Sequence, residues 1–76
     1  MTTLPPTLPI PDSVEAIGTW ISHLESIKRD YEAAHSDEDR LHRSVLYLIA
    51  EGTPHHRELA LAALDSRDVN FVRYCA

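Results

Sequence analysis

Ile17, Trp20, Leu24, Ile27, Tyr31 and Ala34 recur at alternating intervals of three and four residues. On a helix of about 3.6 residues per turn that spacing draws a single stripe. Ile21 lies beside the stripe and widens it to the face of a bundle helix, broader than a two-stranded coiled-coil seam. Read as one rod over 13–35, the segment is roughly 35 Å long at about 1.5 Å per residue. Its apolar seam needs cover, and the only cover the chain itself offers is the shorter apolar segments that follow. The fold expected is therefore all-α: a small bundle of three helices plus a short C-terminal fourth, behind an extended Pro-rich N-terminal arm.

The domain expected spans 12–76 and the arm spans 1–11. Pro5, Pro6, Pro9 and Pro11 remove backbone donors from the arm and push their predecessors out of the helical region. Pro6 and Pro9 have PxxP spacing, but the arm has no Arg or Lys to orient a polyproline ligand. Leu8 and Ile10 are expected to pack down on the helices. Asp12 followed by Glu15 reads as a capping box that opens the first helix. A second helix over 37–51 is expected to begin after Ser36, with Asp37, Glu38 and Asp39 in the first turn, where carboxylates suit the positive helix end. Leu41, Val45, Leu48 and Ile49 form its inward stripe, while Leu46 and Tyr47 carry apolar surface to other sides. Gly52 is placed to close it. Thr53 and Pro54 then read as the cap and first residue of a third helix over 54–65, and a last short helix is expected over 68–75.

The stretch Leu64-Asp-Ser-Arg-Asp-Val69-Asn-Phe-Val72-Arg73-Tyr-Cys-Ala76 resembles the turn and second-helix opening of a HEAT repeat, in which an Asp precedes a Val-Arg pair. The resemblance implies helix-turn-helix packing and brings no functional residues with it. Solenoids need several stacked repeats, and the resemblance covers one turn.

Chemistry-bearing patterns are few. The five histidines include the neighbours His55 and His56, but no two His stand four apart with a Glu between them as a zincin-type site requires. His35, Asp39 and His42 lie close in sequence without a recognised ligand spacing. Cys75 is the single cysteine, which excludes a disulfide within the chain and fits a reducing compartment. With only Gly18 and Gly52, a glycine-rich phosphate loop is excluded. No metal, no cofactor and no enzymatic activity are expected.

Twelve acidic residues against seven basic ones give a formal charge of −5, which argues against nucleic acid and against anionic membranes as partners. No apolar run reaches the roughly 20 residues that span a bilayer, and the start lacks signal-peptide character, so a cytoplasmic protein is expected. A chain of 76 residues buries too little surface to be very stable alone, which points to a partner: a larger protein or a second copy. The function expected is that of a small acidic interaction module. It would be a regulator or inhibitor docked on a larger cytosolic protein, suited to a basic groove that normally holds nucleic acid. Inhibitors made by phages and mobile elements against host machinery, anti-CRISPR proteins among them, offer the analogy in size and charge. The candidate contact residues are Trp20, Glu25, Glu32, Asp37, Glu38, Asp39 and Tyr47, with Tyr31, Phe71 and Tyr74 as further aromatic anchors. A helix-turn-helix DNA-binding regulator and a metal- or redox-responsive switch built on His55, His56 and Cys75 are the alternatives.

Overall fold

A computed structural model describes residues 8–73. Three α-helices, α1 (Val14–Ile27), α2 (Tyr31–Ala50) and α3 (His56–Leu64), are followed by a single 3₁₀ turn over Asp65–Asp68. Among the described residues there is no strand, and the all-α bundle is what the helical periodicity implied.

The first helix ends earlier than its apolar stripe suggested. The chain turns over 28–30 instead of at Ser36, because Asp30 caps the next helix by accepting a hydrogen bond from the Ala33 amide at 3.2 Å. Ile17, Trp20 and Leu24 therefore line α1, whereas Ala34 continues the stripe on α2 with Leu41 and Val45. A periodicity of three and four passes across a tight turn unchanged, so spacing alone cannot see the break. The cap of α1 is likewise Ser13, whose hydroxyl accepts from the Ala16 amide at 3.0 Å, and not Asp12.

α2 closes as expected. Gly52 takes φ +86°, its amide donates to the Ile49 carbonyl at 3.0 Å, and the Thr53 amide reaches the Leu48 carbonyl at 3.1 Å. These are the two bonds of a Schellman cap, which a left-handed glycine permits. α3 starts two residues later than Thr53–Pro54 implied, from His55 at φ 59°, with no side-chain cap.

The interior has two parts. Ile17, Trp20, Leu41, Val45, Leu59 and Ala63 pack together where all three helices meet, with Leu8 of the arm against them. Leu24, Ala34, Val69 and Phe71 form the second, over the α1–α2 turn. Leu8 packs down as expected, but Ile10 is 69% exposed, because the Trp20 indole donates to the Pro9 carbonyl at 2.7 Å and fixes the arm's course there.

No helix covers 68–75 within the described residues. After the 3₁₀ turn Val69 takes an extended backbone, and on to Arg73 the chain has no regular secondary structure, with Val69 and Phe71 buried and Asn70 and Val72 exposed. That alternation of buried and exposed positions has a period of two. Carbonyls along this stretch are served by a side chain: the Arg73 guanidinium donates to the carbonyls of Ser66, Val69 and Phe71. Tyr74 and Cys75, and with them the redox half of the switch alternative, lie outside the described residues.

Candidate functional site

The acidic triplet expected at a helix start lies about two turns inside α2, and its members point in different directions. Glu38 falls on the stripe of Ala34, Leu41 and Val45 and is 6% exposed. A carboxylate there must be matched, since desolvating an unpaired charge is costly. Arg73 does so with a two-pronged contact, Nε to Oε1 at 2.9 Å and Nη2 to Oε2 at 3.1 Å, while the same guanidinium stacks on Phe71 with 3.8 Å to the ring centre. Ser66, fully buried, donates to Glu38 Oε2 at 2.7 Å. Burial pushes the Glu38 carboxyl up, but the hydrogen bonds from Arg73 and Ser66 and the charges of Arg73 and His42 outweigh it and hold it below its ordinary value.

His42 Nε2 lies 2.9 Å from Ser66 Oγ and 3.2 Å from the Ala63 carbonyl. Since the single Ser66 proton goes to Glu38, His42 Nε2 carries a proton and donates to both oxygens. A nucleophilic serine needs the reverse, a histidine that accepts the hydroxyl proton and a carboxylate on the far imidazole nitrogen. Ser, His and Glu are thus brought together as a buried structural tie between α2 and the C-terminal segment.

Three other carboxylates of the expected acidic surface also meet side chains of the same chain, two of them histidines. Asp37 pairs with His23 of α1 at 2.7 Å, Asp39 with His35 at 3.3 Å on α2, and Glu25 with Lys28. Glu32 is exposed. Trp20, 4% exposed, belongs to the core, as Phe71 does at 9%. Trp20 and Glu38 are therefore inward residues and do not present a surface to a partner. Tyr47 does: it is 65% exposed, as is Leu46.

These two side chains stand on the outer face of α2, between two concavities. On one flank, Tyr47 borders a groove of about 310 Å³ shared with Pro9, Ile10 and Trp20. On the other, Leu46 borders one of about 270 Å³ with His42, Ile49, Ala60, Ala63 and Leu64. A third, shallow hollow over Arg43, Leu46, Tyr47 and Ala50 joins them. With Ile10 69% and Leu64 43% exposed, one apolar surface crosses from the arm over α2 to α3. The sequence signal for it was the run from Val45 to Ala50, apolar on every side of the helix. The signal for the Glu38 tie was a charge on an apolar stripe, hidden by placing the helix break at Ser36.

Among the described residues, no group of three or more His, Cys, Asp or Glu is placed to hold a metal ion, and no helix is long and apolar enough to cross a membrane. His55 pairs at 3.6 Å with Glu58 on the same helix. Compared with known proteins, the chain matches no family model, no curated protein and no solved structure.

Proposed function

We propose that this protein is a non-enzymatic interaction module whose docking element is the outer face of α2. The observation that carries this reading is the pair Leu46 and Tyr47, each 65% exposed, at the centre of an apolar surface flanked by two grooves. Contiguous apolar surface costs solubility and is kept where a partner covers it. Tyr and Arg, here Tyr47 and Arg43, are the residue types that dominate contact energies. The regulator or inhibitor role suggested by size and charge is part of this reading, with the contact moved from the acidic corner to α2. Glu38 is buried against Arg73, Glu25 is paired with Lys28, and Asp37 and Asp39 contact His23 and His35, so the acidic corner is not the continuous outward-facing set that the sequence suggested.

The test is affinity purification from the cell that makes the protein, followed by mass measurement of the intact complex. The wild type is expected in a complex heavier than its 8.6 kDa. A Leu46→Ser/Tyr47→Ser variant with unchanged helicity is expected to lose that complex. A wild type recovered only as a monomer, or a complex that ignores the double substitution, refutes the reading.

A further inference from the structure

The two parts of the interior differ in what supplies them. Every buried residue of the first, Ile17, Trp20, Leu41, Val45, Leu59 and Ala63, stands on a helix. Half of the second, Val69 and Phe71, comes from the segment after the 3₁₀ turn, which lies over Leu24 and Ala34 with Ile21 and Ile27 alongside. That segment adds no main-chain hydrogen bond to the helices. Among the described residues its one main-chain bond runs from the Val69 amide to the Ser66 carbonyl at 3.1 Å, inside the turn. Its polar attachments converge on Arg73 at the far end, and of these only the two to Glu38 reach a helix. The bonds to the carbonyls of Ser66, Val69 and Phe71 stay within the segment and its turn.

Such a segment has a fixed end and a releasable one. Ser66 is the fixed end, because its hydroxyl is held by Glu38 at 2.7 Å and His42 at 2.9 Å, both on α2, independently of the residues that follow. Arg73 is the releasable end. Its side chain is 32% exposed, so water reaches the guanidinium and can take over its hydrogen bonds. Parting it from Glu38 leaves the carboxylate with the Ser66 hydroxyl, so the socket keeps a polar partner. What then resists lifting is the apolar contact of Val69 and Phe71 with the residues beneath them, a small part of the surface the whole bundle buries. The first part of the interior contains none of these side chains.

We propose that residues 69–73 form a strap that lifts as a unit about Arg67 and Asp68, latched by the Arg73–Glu38 pair. Its lifting uncovers an apolar notch floored by Leu24 and Ala34, with the Glu38 carboxylate at the rim, while the three-helix core around Trp20 stays closed. The strap does not depend on the docking face of α2. The chain has one Trp and one Phe, and each reports one part of the interior: Trp20 the first, Phe71 the second. Fluorine saturation-transfer NMR of the full chain, carrying fluorinated tryptophan and phenylalanine, measures the population of a minor form at each, with helicity checked for every variant. In the wild type a minor form is expected at Phe71 and not at Trp20. Arg73→Met is expected to raise its population about 30- to 150-fold, the effect of losing a partly exposed ion pair. Glu38→Gln keeps the shape of the side chain and removes the same pair from the other side, so it is expected to act in the same direction. Because both act on one contact, the double variant is expected to be no more open than Arg73→Met alone. Equal minor populations at Phe71 and Trp20 would show a single cooperative unit and overturn the proposal. So would a Phe71 signal that neither substitution moves, or a double variant in which the two effects multiply.

Discussion

Arg73→Met tests the buried tie most directly. Methionine keeps an unbranched apolar stem over Phe71 and removes the charge and every hydrogen bond to Glu38 and to the carbonyls of Ser66, Val69 and Phe71. Deleting one member of a fully buried ion pair costs about 3–5 kcal/mol, because the other charge is stranded. The Glu38 side chain is 8% exposed but that of Arg73 is 32%, so water replaces part of what is lost and about 2–3 kcal/mol is expected. Against a total of about 4–11 kcal/mol for a domain of this length, that is a large fraction. It corresponds to a fall in Tm of roughly 10–20 °C.

The pH dependence adds a second readout. Glu38 is held below its ordinary value in the folded wild type. Its contribution is therefore present above the carboxylate value of the unfolded chain, about 4.3, and is lost as pH falls through the lower folded value. In the variant, only burial, Ser66 and His42 act on the carboxyl, so its folded value rises. The gap between wild type and variant is then widest near about pH 7 and narrows on acidification toward about pH 3. Urea unfolding followed by circular dichroism at several pH values measures both quantities. A loss below about 0.5 kcal/mol near neutrality, or a gap that does not shrink in acid, would refute the reasoning.

Two further changes probe the caps and the arm. Trp20→Phe keeps an aromatic ring in the core but removes the bond to the Pro9 carbonyl, and a loss of about 1–2 kcal/mol in urea unfolding is expected; no loss would show that this bond does not hold the arm. Gly52→Ala puts a Cβ into open space at φ +86°, so its whole effect is conformational, and calorimetry should show about 1–2 kcal/mol of destabilisation with no change in packing around the site.

The helical class and much of the core could be read from residue spacing, although Tyr31, on the same stripe, is 41% exposed. Ile17, Trp20, Leu24, Leu41 and Val45 lie inside because their period matches the α-helix, and any packing of such segments hides that face. The Schellman end at Gly52 was legible too, since only glycine takes that backbone conformation without cost. The turn over 28–30 was not, because Asp30 and Ser36 are both acceptable caps and local preference does not choose between them. That choice was made by packing: the earlier turn brings Ala34, Glu38, Leu41 and Val45 onto one buried stripe. Once Glu38 was inside, a cation had to come to it, and Arg73 is 35 residues away in the chain. That contact ties down the C-terminal segment through Arg73 where local pattern had suggested a helix. The sequence by itself determined which side chains are apolar and at what period. Which charges became internal partners, and which apolar side chains stayed outside on α2, was decided by contacts between distant segments, whose energies no local window contains.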